Sequence, residues 1–142
     1  MRRFEEFLAT DDVKRVSPDY GLARSLKADA EERFELMLSL KLDEKSATLI
    51  FEQAYDALRQ CSDALLAIKG YRSYSHVATL SFLLRYSCIS SNDVRDFDNA
   101  REKRNLSIYY AKKLNPSETR EMIALYRHLK PKLDALFRNL TP

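Results

Sequence analysis

Apolar side chains recur every three or four residues along most of this chain, the spacing of helices packed on one face. Arg3–Leu8 predicts a short helix with Phe4, Phe7 and Leu8 on one side, followed by a polar link over Ala9–Ser17. Pro18-Asp19 marks the next helix start. Leu22, Leu26, Ala30, Phe34, Met37 and Leu38 then carry a stripe to Leu40, with Glu31, Glu32 and Glu35 among the outward residues. Leu42-Asp43 opens the most apolar helix, which ends at Lys69 before Gly70. Ala47, Ile50, Phe51, Ala54, Tyr55, Leu58, Cys61, Leu65 and Ile68 form its main stripe. Leu49, Ala57, Ala64 and Leu66 extend it onto other faces. A helix apolar over so wide an arc is packed on several sides, so this one is expected at the centre of a bundle.

Tyr71–His76 reads as a polar aromatic link, and a shorter helix is expected from Ser75 to Tyr86. A Ser-rich loop over Ser87–Asn92 follows, in which Ser91-Asn92 can cap a helix over Asp96–Leu114. Asn115-Pro116-Ser117 begins the last helix, with proline at an early position. Its stripe of Met122, Tyr126, Leu129, Leu133, Leu136 and Leu140 runs through Pro131, which predicts one helix kinked there. The expected architecture is an all-α, up-down bundle of about five helices, forming one domain over residues 1–142. Two glycines and four prolines cannot punctuate a many-stranded sheet.

Charge changes the picture locally more than globally. The net charge of +3 and pI near 8.8 are only mildly basic. Between Arg101 and Lys113, however, Arg101, Lys103, Arg104, Lys112 and Lys113 stand against the single acid Glu102. In the same stretch Arg104-Asn105 is followed by Tyr109-Tyr110. A fixed cation, a neutral amide and two phenols suit an anionic, planar, hydrogen-bonding ligand such as RNA or a nucleotide. The plainer reading is a solvated basic face. Val94, Phe97, Arg101, Arg104 and Ile108 lie three or four apart, so one face starts apolar and turns cationic. Arginines on such a stripe need a carboxylate, a second subunit or a ligand.

Other chemistry finds little footing. There is no Cys-x-x-Cys and no His-Glu-x-x-His, and no metal or cofactor is expected. The two histidines are 52 positions apart. His76 reads as a capping or packing residue, and His128 as exposed or lightly paired. Asp56 and Asp63, seven apart, share a helix face and are expected to neutralise arginines such as Arg101 or Arg104. Cys61 reads as a core residue, and with Cys88 it gives no disulfide framework, which fits a reducing cytoplasm. No signal peptide and no membrane span are expected.

Phe51-Glu-Gln-Ala-Tyr55-Asp-Ala-Leu58, Ala64-Leu65-Leu66, Gly70-Tyr71, Ser75-His76 and Arg104-Asn105, in this order and spacing, resemble the HEPN family from about Tyr20 to Leu140. The resemblance implies a bundle of four or five helices that usually dimerises. Many members are metal-independent endoribonucleases, often toxins. Two copies of an Arg-x4–6-His motif face each other there, the arginine holding phosphate and the histidine moving a proton. Many are encoded beside a minimal nucleotidyltransferase that serves as antitoxin and can modify a tyrosine after the histidine.

Arg104 and Asn105 match that motif, but the histidine position holds Tyr109, and the modifiable tyrosine position holds Ala111. A phenol protonated at neutral pH is a poor general base, although it can donate a hydrogen bond or stack on a base. Arg104, Asn105 and Tyr109 are therefore the candidate motif residues. Arg101, Lys103, Arg104, Tyr110, Lys112 and Lys113 are the candidate nucleic-acid or nucleotide contacts. Five residues on a straight helix turn through about 140°, so Arg104 and Tyr109 converge only through long side chains, a local distortion or the partner subunit. The expected function is a homodimeric binder of RNA, a nucleotide or a partner nucleotidyltransferase, with little or no catalysis. A ribonuclease using Tyr109 or His128, and a pure interaction protein, are the rivals.

Overall fold

A computed structural model describes residues 2–142. The helices are α1 (Phe4–Phe7), α2 (Tyr20–Leu38), α3 (Ala47–Lys69), α4 (His76–Leu83), α5 (Ser91–Tyr110) and α6 (Pro116–Leu140). Two short strands, β1 (Val13–Arg15) and β2 (Tyr71–Ser73), form an antiparallel ribbon. The fold is an all-α bundle, as the periodicity predicts. None of its helices, among the described residues, is long and apolar enough to cross a membrane.

α3 is the central element, in contact with α2, α4, α5, α6 and β2. Ala54, Ala57, Leu58, Leu65 and Leu66 are all essentially inaccessible, although they point to different sides of the helix. α2 and α6 flank it, and Phe34 of α2 stacks on Tyr126 of α6 at 3.8 Å between ring centres. Beside that stack, Lys130 bonds both Glu31 (2.8 Å) and Asp134 (2.6 Å), tying the two helices together. Cys61 is buried in the same core. The stripe expected on α6 is buried from Met122 to Leu136, and the helix runs through Pro131. On α2 the buried face is Ala23, Ala30, Phe34 and Met37. Leu22 and Leu38, expected on that face, are exposed.

The element ends depart from expectation where side chains compete for backbone groups. α3 starts at Ala47 rather than Leu42-Asp43, because Asp43 Oδ1 accepts from the backbone N–H groups of Lys45 and Ser46, both at 2.9 Å. That turn holds the chain out of the helix. α4 is shorter than expected, ending at Leu83. α5 starts five residues earlier than Asp96. Its cap is Ser90, which forms a reciprocal box with Asp93 (3.0 and 3.1 Å). It also stops at Tyr110, short of Leu114. Ala111 is left-handed (φ 54°), and Leu114 is buried with its N–H donating to Thr48 Oγ1 at 2.9 Å. Burying Leu114 against the start of α3 requires the chain to leave the α5 axis.

The two links expected to be irregular pair with each other instead. Val13, Lys14 and Arg15 face Ser73, Arg72 and Tyr71. Three-residue strands are too short to show a period of two. Gly70 makes the join possible. Its φ is +79°, and a Cβ there would lie 2.7 Å from the Val16 carbonyl oxygen.

These two left-handed positions give opposite expectations. Gly70→Ala forces both a disfavoured φ and a backbone clash, and should destabilise by about 2 kcal/mol or more. Ala111→Gly removes a left-handed penalty and should stabilise by about 0.5–1 kcal/mol, raising Tm by about 2–4 °C. Thermal unfolding of the two variants measures both.

Candidate anion-binding site

Four charged residues of α3 fall on one stripe. Glu52, Asp56, Arg59 and Asp63 are spaced four, three and four apart, and each is half-buried. α5 carries the matching stripe Phe97, Arg101, Arg104 and Ile108 with the same spacing. The two helices meet antiparallel along these stripes. The Ser107 hydroxyl lies 2.8 Å from Glu52 Oε2, and Arg104 Nη2 donates to Asp56 Oδ1 at 3.5 Å. Phe97 meets Tyr55 edge-on at 5.9 Å.

Arg104 is poorly satisfied by these neighbours. Its guanidinium lies 5.6 Å from the centre of the Tyr55 ring, and its side chain is 18% exposed. The bond to Asp56 is at the long limit for a hydrogen bond, and Nε is buried with no acceptor. A buried N–H of a charged group without an acceptor is costly, and such orphans call for a ligand or a functional reason. Arg101 is better held, by Asp98 at 2.8 Å. Arg59 has no ion pair among the described residues.

His76 and Tyr55 form the floor of this cluster. The Tyr55 hydroxyl and His76 Nδ1 are hydrogen-bonded at 2.9 Å, and the imidazole packs on Phe97 at 4.9 Å. Burial, followed by the charges of Arg101 and Arg59, pushes the His76 imidazole down to about 3; Asp98 opposes and Arg104 adds to the fall. Burial likewise raises the Tyr55 phenol. The cluster thus joins three guanidinium groups, a neutral imidazole and one orphaned N–H. Its chemistry is that of an anion site, able to give a phosphate fork-shaped donors against a weakly polar floor.

Not all the predicted residues meet here. Arg101 and Arg104 are brought together, with Asn105 half-buried just beyond them. Lys103 turns to the other side and pairs with Glu118 at 3.4 Å. With Lys112 it lines a groove of about 760 Å³ between α5 and α6, which also contains Asp96, Glu102, Glu118 and Glu121. Lys113 is exposed beyond the helix end. Tyr109 and Tyr110 are 70% and 77% exposed, and neither reaches the Arg104 cluster's floor of Tyr55 and His76. Asp56 neutralises Arg104 as expected. Asp63 does not join an arginine: it lines a separate cavity, where burial raises it to about 6 and the charge of Arg59 only partly offsets that.

No protein-family model matches this chain, and no curated protein is similar to it.

Sequence reasoning missed Arg59, Tyr55 and His76 as parts of the cluster. The signal for Arg59 was present: four charged residues at helical spacing on one face of a mostly apolar helix. His76, expected to cap or to pack, packs on Tyr55 and Phe97, and the cap is Ser75, accepting from the Ala78 N–H at 3.3 Å. His128, expected to be exposed or lightly paired, is 56% exposed and bonds Asp93 at 2.8 Å, on which Lys132 also converges (2.6 Å). Burial would raise Asp93, but these partners and the Ser90 N–H outweigh it and hold the carboxyl down to about 2. This ties the start of α5 to α6, away from the arginine cluster.

The depressed His76 makes a pH prediction. In the unfolded chain its imidazole takes up a proton near pH 6.5, whereas in the fold it does so only near 3. The unfolded state therefore binds more protons between those values, and this group's contribution to stability is lost as pH falls from 6.5 toward 3. NMR titration of the imidazole ring protons should show no protonation of His76 down to pH 5. In His76→Phe the acid-side loss of Tm should be shallower.

Proposed function

We propose that this protein is a HEPN-like helical domain that binds a phosphate-bearing ligand, RNA or a nucleotide, through the Arg101–Arg104 face of α5, with little or no catalysis. The observation that carries the reading is the buried Nε of Arg104, without an acceptor among the described residues, beside Arg101 and an Arg59 that has no ion pair among them. A phosphate oxygen is the acceptor that this geometry lacks. Asp56 sets the affinity by partly neutralising Arg104 in the free protein.

The protein acts as a homodimer in this reading. The end of α5 exposes Leu106, Ile108, Tyr109 and Tyr110 close together, a set that monomeric surfaces rarely leave uncovered. Joining two copies there would bring two arginine faces to one ligand and place each Tyr109 beside the partner's site, with Lys112 and Lys113 around them. A partner nucleotidyltransferase is the alternative occupant of the same tip.

Binding of a labelled RNA in EDTA is the direct test. Affinity should fall steeply with salt, as phosphate contacts release counterions. Arg104→Ala should weaken binding by about tenfold or more, the effect of a charge-assisted bond. Asp56→Asn should tighten it several-fold. Cleavage by the natural protein, abolished in Arg104→Ala, would replace this reading with the ribonuclease one. Cleavage gained only in Tyr109→His would mark an intact scaffold without its proton-transfer group. Sedimentation as a monomer at micromolar concentration would remove the dimer.

A further inference from the structure

The ribbon formed by β1 and β2 places two cations directly opposite one another. Lys14 and Arg72 are cross-strand partners, and like charges in that position repel. Neither they nor Arg15 has an ion-pair partner among the described residues. Both lie over the ring of Tyr74, which is 57% exposed, with Lys14 Nζ 5.7 Å and Arg72 Cζ 5.8 Å from its centre. The other face of the ribbon is anchored: Val13 is buried, and Tyr71 packs edge-on against Phe4 at 5.0 Å. The repulsion is therefore held on a fixed support and is not relieved by the strands parting.

An exposed ring carrying two cations that have no ion pair is a platform for a nucleobase once the cations swing off its face onto the neighbouring phosphates. Its position in the chain links it to the α5 cluster. Tyr74 is followed by Ser75, which is extended (φ −128°, ψ 125°), and then by His76 on the floor of that cluster. Two residues of extended chain span about 7 Å, which puts the backbone of Tyr74 within that distance of His76.

We propose that the ligand is a single-stranded nucleic acid rather than a free nucleotide, and that the ribbon is its second contact, with a base stacked on Tyr74 and phosphates on Lys14 and Arg72. This rests on the reading of the α5 face as a phosphate site and adds the class of ligand. A mononucleotide occupies one contact; a strand occupies both.

The test is fluorescence anisotropy with labelled oligouridylate and oligodeoxythymidylate of about ten nucleotides, within the span of a small single-strand site. UMP serves as competitor. Circular dichroism checks the fold of each variant, since Lys14, Arg72 and Tyr74 are all exposed. Tyr74→Ala should weaken the decamers about tenfold, Tyr74→Phe should retain their affinity, and UMP should be unaffected by either. Lys14→Gln with Arg72→Gln should lower the slope of log affinity against log salt by about 1.4. Equal binding of the two decamers fits the proposal, and preference for the uridine strand assigns RNA. Decamer binding that responds to Arg104→Ala but to none of the ribbon variants overturns the ribbon and leaves the α5 reading intact. Binding lost in the ribbon variants but indifferent to Arg104→Ala overturns the α5 reading. No decamer binding, or ribbon-dependent binding to phosphatidylserine vesicles alone, overturns the nucleic-acid proposal.

Discussion

The burial of α3 on nearly all sides is the constraint on which the other elements depend. A helix that packs against α2, α4, α5 and α6 at once has little surface left for polar groups. Gln53 and Gln60 meet Arg33 of α2 on one side, and the charged residues Glu52, Asp56, Arg59 and Asp63 share one narrow stripe. Any element that closes over this stripe has to answer its charges, since a buried charge without a partner is strongly unfavourable. α5 does so with Ser107 against Glu52 and Arg104 against Asp56. The candidate site is in this sense a consequence of core packing. It lies where the central helix could not be made apolar.

The match is incomplete, and the incompleteness has a direction. On the carboxylate side Glu52 has a hydroxyl donor, and Asp56 has a guanidinium. On the cation side Arg59 has no ion pair among the described residues, and Arg104 Nε has no acceptor. Partner groups chosen for stability alone would have closed these gaps, for example with a shorter, two-pronged Arg104–carboxylate contact. The neutral imidazole of His76 beneath them avoids adding a further like charge. Asp63, in its separate cavity, also has no ion pair among the described residues, but under α5 the surplus is of donors, which favours capture of an anion over stabilising the free fold.

The bundle was legible in the sequence because its long helices have strong period-3.6 stripes. α6 in particular buries the side chains its spacing marks, from Met122 to Leu136. What was hidden follows from competition at short range. The Asp43 turn shortened α3, the Ser90–Asp93 box moved the start of α5, and the burial of Leu114 ended that helix early. The ribbon was invisible because its two three-residue strands have no pattern of their own and pair only because Gly70 turns the chain back. Leu22 and Leu38 fit a helical stripe by spacing, yet α2 turns Ala23, Ala30 and Met37 inward instead. Small residues there let α2 approach α3 closely.

The candidate site shows why a charge cluster in sequence is a poor guide to a charge cluster in space. Adjacent helical positions diverge by about 100°, so Lys103 and Arg104 end on different faces. One pairs with Glu118 across the α5–α6 groove and the other with Asp56 on α3. The five cations between Arg101 and Lys113 are thereby dispersed, and their number alone would overstate the field at any one point. The concentration that survives is assembled from separate segments: Arg59 from α3, Arg101 and Arg104 from α5, and Lys14 and Arg72 from links that only the ribbon brings together. Each member is unremarkable in its own stretch of sequence. What distinguishes them is that the fold gathers them from separate segments and leaves Arg59, Lys14 and Arg72 without an ion pair among the described residues, a property of three-dimensional pairing that no count of residues contains.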